Sequence, residues 1–245
     1  MKKNALISVL FIASLFILLP SYGQKHNKLT GKEKKEGWIL LFNGKDFSGW
    51  RQYKASTMAK NWVIEDDAMK VYTAEGRKPG QGDGGDILFD KKFKNFELSI
   101  DWKAGEMGNS GIFYYVREEP GQRISSAAPE VQILDNKNAT DNKIASHLAG
   151  SLYDMIAADP NTVRPAGEWN NLVLLVNKGK VTHTINGVKV VEYELWSPHW
   201  DALVENSKFK NFPGFTKGIS KEGYIGLQDH GYTIWFRNIK IREIQ

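Results

Sequence analysis

Short segments in which polar and apolar residues alternate recur along most of this chain. Alternation with a period of two is typical of a strand with one buried face, because successive side chains point to opposite faces of a sheet. Asn186-Gly187 joins two such segments, and Asn-Gly favours a tight hairpin turn. One face of the segment 96–103, for example, carries Phe96, Leu98, Ile100 and Trp102. The pattern predicts a chain built almost entirely from short antiparallel strands.

The alternating segments and the turn residues between them predict the positions of the strands. The predicted strands cover residues 38–42, 62–65, 68–72, 96–103, 110–117, 130–135, 150–156, 172–176, 181–185, 188–193, 224–228 and 233–244. A capping box at Thr30–Glu33 and the Ser197-Pro198 pair predict two short helices. Residues 76–85, which are rich in glycine, are predicted to form a surface loop. The expected fold is a single antiparallel β-sandwich, a jelly roll.

The N-terminus has the pattern of a secretory signal peptide. Lys2 and Lys3 precede an apolar run from Ala5 to Leu19, and small residues end at Gly23. The predicted organisation is a signal peptide over 1–23, a polar lead-in over 24–36 and one domain over 37–245. With no cysteine in the chain there is no site for a lipoprotein anchor, and no disulfide is needed. We therefore expect a periplasmic or secreted protein without a membrane span.

Charge and motifs exclude several classes of function. The formal net charge is +5, and loss of the signal peptide would remove two of the lysines. This charge is too small to indicate a nucleic-acid partner, and the chain has no basic stripe interleaved with stacking aromatic residues. It also lacks a nucleophile elbow, a dinucleotide fingerprint and any spaced cysteine–histidine set.

The segment 129–136 carries the clearest candidate for chemistry. Val131 and Ile133 share one predicted face, whereas Glu130 and Gln132 share the other, which we expect to be exposed. Alternate positions on one strand often hold the two acids of a sandwich glucanase. Here the second position is an amide, which neither ionises nor attacks. Glu130 could therefore act as a lone general base or as a metal ligand, and from this segment alone the alternative is the solvated face of an ordinary strand.

Further candidates lie at strand ends, where functional side chains collect. His147 and His230 can serve as a base, a ligand or a structural residue. Arg117 is predicted to share a face with Gly111 and Phe113, where it would bind a sugar oxygen or pair with Glu130. Trp200 offers an indole that could stack on a sugar ring, with core packing as the alternative.

Five segments resemble the 3-keto-disaccharide hydrolase domain family, in the order in which they occur there. They are LFNGKDFSGW (41–50), GNSGIFYYV (108–116), PEVQILDN (129–136), WNNLVLLVNKGKVTHTINGVKV (169–190) and GYIGLQDHGYTIWFRNIKI (223–241). The resemblance covers roughly residues 36–244 and implies a concanavalin-like or laminarinase-type sandwich. It also implies an exported enzyme that cleaves glycosides oxidised to a ketone at C3.

The implied chemistry needs only one base. A C3 ketone acidifies the C2 proton, so that its removal expels the substituent at C1, and water then adds to the enone. On this resemblance the base is Glu130 or His147, and His230 and Arg117 stabilise the enolate. The predicted substrate-binding residues are Asn109, Arg117, Gln132, Gln228 and Trp200. A divalent metal held by Glu130 and His230 is an alternative stabiliser of the enolate.

Two other functions fit the same sequence. A non-catalytic carbohydrate-binding module would use the same sandwich and aromatic residues without turnover. An ordinary endo-glucanase would need Glu130 paired with a carboxylate from another strand, such as Asp101 or Glu97. In each case the expected partner is an oligosaccharide or a 3-keto-glycoside.

Overall fold

The computed structural model describes residues 26–73, 75–81 and 85–245. The predicted signal peptide lies outside the described residues, as do residues 82–84 of the predicted glycine-rich loop. The described residues form two antiparallel sheets, which confirms the predicted β-sandwich. No helix among them is both long enough and apolar enough to cross a bilayer.

The larger sheet has eight strands. In spatial order it contains β11 (Val188–Glu194), β10 (Lys180–Ile185), β9 (Asn170–Asn177), β6 (Phe96–Ala104), β13 (Ile234–Glu243), β4 (Ala68–Val71) and β3 (Trp62–Glu65), with β1 (Ile39–Leu40) also paired to β13. The type of turn at Asn186-Gly187 is as predicted, because both residues have a positive φ.

The smaller sheet has five strands. In spatial order it contains β2 (Trp50–Gln52), β5 (Ile87–Phe93), β12 (Gly223–Leu227), β7 (Asn109–Val116) and β8 (Glu130–Leu134). Its inner face packs on the larger sheet, where Ile87, Ile112, Val131 and Leu227 join one buried cluster with Leu98, Leu172 and Phe236. Its outer face carries the pocket described below.

Three α-helices and four short 3-10 turns complete the described part of the chain. The helices are α1 (Gly31–Lys35), α2 (Pro198–Glu205) and α3 (Pro213–Thr216), and the 3-10 turns are Ile124–Ser126, Ala145–His147, Pro160–Thr162 and Lys208–Asn211. Both predicted helices are present with the predicted caps: Thr30 and Glu33 form the capping box, and Ser197 caps α2. The sequence did not predict α3.

The strand predictions need two corrections. Residues 150–156 do not form a strand, since this segment consists of turns with isolated bridges at Leu152 and Ile156. Conversely, β2 and β5 were missed. Asp90–Lys92 in the middle of β5 is exposed and charged, and this charged run between Ile87–Phe89 and the buried Phe93 interrupts the alternation that marks a strand.

Candidate functional site

A row of four residues crosses the outer face of the smaller sheet. The pairs Ile87–Leu227, Leu227–Ile112 and Ile112–Val131 fix the register of the four strands β5, β12, β7 and β8. The next residues along these strands therefore lie side by side, and they are Asp86, Gln228, Gly111 and Gln132. The backbone N–H of Gln228 donates to the Gly111 carbonyl at 3.0 Å, which continues the ladder into this row. The row forms the floor of a pocket.

The neighbouring row is apolar except for Glu130. It contains Leu88, Gly226, Phe113 and Glu130. Leu88 and Phe113 belong to a second buried cluster that includes Ile124 from the 3-10 turn Ile124–Ser126. This turn covers the row, and Glu130 is consequently only 5 % exposed. The sequence-based expectation of an exposed Glu130–Gln132 face is therefore wrong, because the 3-10 turn just before β8 folds over the neighbouring strands.

The Glu130 carboxylate lies over the backbone of β7. A Cβ atom at Gly111 would stand 2.1 Å from Glu130 Oε1, so that only glycine leaves room for this carboxylate. The side-chain amide of Gln132 lies 3.2 Å from the same oxygen and 3.1 Å from the Ser110 carbonyl, and we assign its nitrogen to this side because it then donates to both acceptors. Two neighbouring strands thus fix the position of the acid.

Burial raises the pKa of Glu130 to about 8. The nearby Lys208 ammonium acts in the opposite direction, while the carboxylates of Asp86 and Asp141 raise the pKa further. A carboxyl group with this pKa holds its proton at neutral pH. Perturbation of this kind in a pocket is characteristic of functional acids.

The pocket is a cavity of about 430 Å³, within the size range of small-ligand sites. Five of the sequence-predicted site residues line it: Glu130, Asn109, Gln132, Gln228 and His230. The amide oxygen of Gln228 is buried and has no hydrogen-bond partner among the described residues. This unpaired acceptor belongs to a residue that lines the pocket.

Asp86 is the functional candidate that sequence reasoning missed. It lies on the pocket floor directly before β5, and the backbone N–H of Asp229 donates to its Oδ1 at 2.8 Å. Burial raises the pKa of Asp86 to about 7, the Asp229 carboxylate contributes in the same direction, and Arg123 opposes both. A glycine-rich segment followed by an acid was the only local signal, and it did not distinguish Asp86 from a loop residue.

His147 lies behind the pocket rather than in it. It is 7 % exposed, its Nδ1 lies 2.7 Å from Asp141 and its Nε2 lies 2.8 Å from Asp154. Its ring stacks on Tyr153, which lines the pocket and donates its hydroxyl proton to Asp141 at 2.9 Å. Asp154 also accepts the backbone N–H of Lys208, another pocket residue, at 2.7 Å. His147 is thus placed to position pocket residues.

The structure does not bring Arg117 to the pocket. Tyr115 has a φ of +57°, which interrupts the alternation, and β7 ends at Val116. Arg117 consequently lies 3.7 Å from Glu119 and donates to the Gly218 carbonyl, so that neither the predicted face nor the pairing with Glu130 is observed.

Trp200 is also remote from the pocket lining. It is 2 % exposed and stacks between Tyr193 and Phe215, so that its indole belongs to the core rather than to a sugar-binding surface.

The second carboxylates named for an endo-glucanase lie on the larger sheet. Glu97 pairs with Arg242, and Asp101 accepts hydrogen bonds from Asn171 and Asn238. Neither residue faces Glu130, which is on β8 of the other sheet.

No cluster of three or more histidine, aspartate or glutamate side chains that could hold a metal ion occurs within 26–73, 75–81 and 85–245. Glu130 and His230 both line the pocket, so the pair named as metal ligands shares one cavity.

The site combines a buried acid with amide side chains in one pocket of a β-sandwich, and the comparisons with known proteins assign it to the carbohydrate-active class. The chain belongs to the family of 3-keto-alpha-glucoside-1,2-lyase-like domains, whose model matches residues 37–242. It is 41 % identical over 227 residues to a 3-keto-disaccharide hydrolase of Bacteroides thetaiotaomicron, with 84 % of this chain and 78 % of the relative covered. The protein is therefore an enzyme, a hydrolase of the glycoside-cleaving type.

Solved structures agree with this assignment. A candidate glycosyl hydrolase of Parabacteroides distasonis superposes with a TM-score of 0.81 at 34 % identity, covering 90 % of this chain and 100 % of that one. A β-glucanase of Bacillus licheniformis has a TM-score of 0.50 at 11 % identity, covering 85 % and 97 % of the two chains, and shows the shared sandwich fold alone.

Proposed function

We propose that the protein cleaves glycosides whose sugar carries a ketone at C3, by elimination across C1 and C2 followed by addition of water. The observation that carries this proposal is Glu130, a buried acid with a pKa of about 8 on the floor of a polar pocket. The relative from Bacteroides thetaiotaomicron, named a 3-keto-disaccharide hydrolase, supports the choice of substrate class.

In the first stage the C2 proton is removed, its electron pair forms the C1–C2 double bond and the C1–O bond breaks. The departing oxygen takes a proton from an acid in the pocket. In the second stage water adds to C1 and C2 regains a proton, so that the net reaction is hydrolysis. The two stages need one acid, one base and groups that stabilise the enolate.

The raised pKa of Glu130 favours the acid role. Sequence reasoning named this residue as a base, but a group that is protonated at neutral pH is better suited to protonate the departing oxygen. Asn109, Gln132 and Gln228 line the pocket and would bind sugar hydroxyls. Lys208 and Arg123 line the same pocket and supply the positive charge for the enolate that was expected from Arg117.

We also propose that the protein works after export, in the periplasm or outside the cell. The support is the N-terminal sequence alone, in which two lysines precede an apolar run and small residues. Fractionation of cells that express the full chain, with N-terminal sequencing of the mature protein, tests this proposal. Cleavage after Gly23 is the expected result, and an intact N-terminus in the cytoplasm would contradict it.

Product analysis by mass spectrometry tests the reaction. The purified protein is incubated with a 3-keto-disaccharide and with its unoxidised parent, each with and without a chelator. We expect cleavage of the 3-keto-disaccharide and no cleavage of its unoxidised parent. Cleavage of the parent would indicate an ordinary glycosidase, and binding without cleavage of either compound would indicate a carbohydrate-binding module. Loss of cleavage with the chelator would indicate a metal in the pocket.

A further inference from the structure

The elimination described above leaves one group unassigned, the base that removes the C2 proton. Besides Glu130, two carboxyl groups among the described residues line the pocket, Asp86 and Asp229. Both oxygens of Asp229 accept hydrogen bonds within the fold, from the Gly231 N–H and the Asn61 side chain, so Asp86 is the better candidate. It occupies the β5 end of the row that crosses β12 and β7 to β8. Because the Glu130 carboxylate lies back over Gly111 on β7, two strand spacings separate that carboxylate from the Asp86 backbone, about 10 Å. A gap of this order accommodates a sugar ring between two acids.

The backbone around Asp86 is firmly held. The Trp62 indole donates to the Gly85 carbonyl at 2.7 Å, and a Cβ atom at Gly85 would stand 2.5 Å from the Asn61 side chain. The backbone N–H of Tyr53 donates to the Asp86 carbonyl at 2.8 Å. With Asp229 N–H bound to Oδ1, the carboxyl group is fixed at the pocket wall, as catalysis by proton transfer requires.

We propose, on the basis of the function proposed above, that Asp86 is the base that takes the C2 proton while Glu130 protonates the departing oxygen. In the elimination the C2–H bond breaks and its proton goes to the Asp86 carboxylate. The electron pair forms the C1–C2 double bond, the C1–O pair stays on the departing oxygen, and that oxygen takes the proton of Glu130. In the hydration the oxygen of a water molecule bonds to C1 while Glu130, now ionised, takes a proton from that water. Asp86 returns its proton to C2.

The electrostatics of the two groups support this division of roles. Burial raises the pKa of both carboxyl groups above the ordinary range, to about 7 for Asp86 and about 8 for Glu130. Arg123 favours the ionised form of Asp86, as a base requires. His147, the other base named from the sequence, does not line the pocket.

Hydrogen exchange separates the base from the acid, because it needs no leaving group. The probe is 3-keto-1,5-anhydroglucitol in D₂O, followed by NMR at C2, with exchange at C4 as the internal reference. The wild-type protein and Glu130→Gln are expected to accelerate exchange at C2. With Asp86→Asn the rate of exchange at C2 is expected to be lower than with wild type by about 100-fold or more. The matched control is Asp90→Asn, an exposed aspartate four residues further along the chain, with its side chain paired to Arg51.

Leaving-group dependence provides the second measurement. A nitrophenolate departs without protonation, so Glu130→Gln is expected to retain most of its activity on p-nitrophenyl 3-keto-α-glucoside and to lose it on the methyl glycoside. Asp86→Asn is expected to lose both activities by a similar factor, while its thermal unfolding matches that of Asp90→Asn.

Two results would overturn the assignment of Asp86. One is C2 exchange by Asp86→Asn at the wild-type rate. The other is a reversed pattern, in which Glu130→Gln loses exchange and Asp86→Asn is rescued by the nitrophenyl group. Failure of the proposed function looks different, because the wild-type protein would then neither exchange C2 nor cleave either 3-keto-glycoside.

Discussion

The outer face of each sheet carries a polar cluster, and the two clusters are satisfied in different ways. On the larger sheet Asp101 accepts from Asn171 Nδ2 at 2.8 Å through one oxygen and from Asn238 Nδ2 at 2.6 Å through the other. Asn238 in turn exchanges two hydrogen bonds with Asn27, at 2.7 and 2.8 Å, which attaches the N-terminal segment to the sheet. This Asp101 cluster satisfies the carboxylate internally.

The pocket on the smaller sheet differs because its polar groups are incompletely paired. Glu130 is buried beside apolar residues with the Gln132 amide as its close polar neighbour, and the Gln228 amide oxygen has no partner among the described residues. Buried polar groups are normally paired, since each unpaired group costs about 1–3 kcal/mol. The Asp101 cluster therefore uses its carboxylate to join parts of the fold, whereas the pocket keeps its acid outside such a network.

The largest effect on activity is expected from Glu130→Gln. The amide keeps the shape of the side chain but cannot transfer a proton, so kcat/KM for the methyl 3-keto-α-glucoside should fall by about 100-fold or more. The folded protein should persist, because the substitution removes an ionisable group from an apolar environment. Steady-state kinetics together with circular dichroism measure both effects. Wild-type turnover of the methyl glycoside by this variant would remove Glu130 from the mechanism.

The same variant should change how stability depends on pH. The folded-state pKa of Glu130 is raised from 4.5 to about 8, so its protonated form contributes stability that is complete below pH 4.5 and is lost as the pH rises through about 8. The free energy of unfolding of Glu130→Gln relative to wild type should therefore increase across this window, by up to about 1.4 kcal/mol per pH unit. Urea unfolding at several pH values measures the difference. A difference that is independent of pH would contradict the raised pKa.

Gly111→Ala should reduce activity without removing any functional group. Its Cβ would stand 2.1 Å from Glu130 Oε1, and the carboxylate must move out of its place over β7. We expect a loss in kcat/KM of about 10-fold or more, since displacement of reacting groups by about 1 Å is already costly. Gly31→Ala is the matched control, because nothing lies within 4 Å of the added atom. Full activity of Gly111→Ala would show that the position of Glu130 is not critical.

The sequence predicted which residues share a face of β8 better than it predicted their environment. Period-two alternation was enough to place Glu130 and Gln132 on one face of β8. It could not show that the 3-10 turn Ile124–Ser126 covers that face, because this depends on contacts with Leu88 and Phe113 from other strands. The burial of Glu130, and with it the raised pKa, is therefore a property of the tertiary structure.

The same limit explains the errors at Asp86 and Arg117. Asp86 reaches the pocket only because β5 pairs with β12, and β12 with β7, which brings together residues more than 100 positions apart. Arg117 was placed on the pocket face by counting alternate residues, but the positive φ of Tyr115 ends the alternation. One residue of irregular backbone is invisible to a periodic pattern.

His147→Gln should weaken substrate binding more than it slows the reaction. His147 contacts Asp141 and Asp154, and through them it holds Tyr153 and the backbone of Lys208 at the pocket. Loss of one such charged contact predicts an increase in KM of about 3- to 10-fold with kcat nearly unchanged. His199→Gln is the matched control, since His199 is exposed at the start of α2. A fall in kcat similar to that of Asp86→Asn would instead identify His147 as a group that transfers protons.

Asp101→Asn should have the smallest effect on activity and a clear effect on stability. The amide group replaces one acceptor of the Asp101 cluster by a donor that faces Asn171 or Asn238, so that one hydrogen bond is lost and two donors oppose each other. The free energy of unfolding should fall by about 1–2 kcal/mol, while kcat/KM for the methyl 3-keto-α-glucoside stays within about twofold of wild type. Urea unfolding and steady-state kinetics on one preparation measure both quantities. Because Glu130→Gln is expected to show the reverse, with activity lost and stability kept, the two variants together separate a cluster that maintains the fold from one that acts on a substrate.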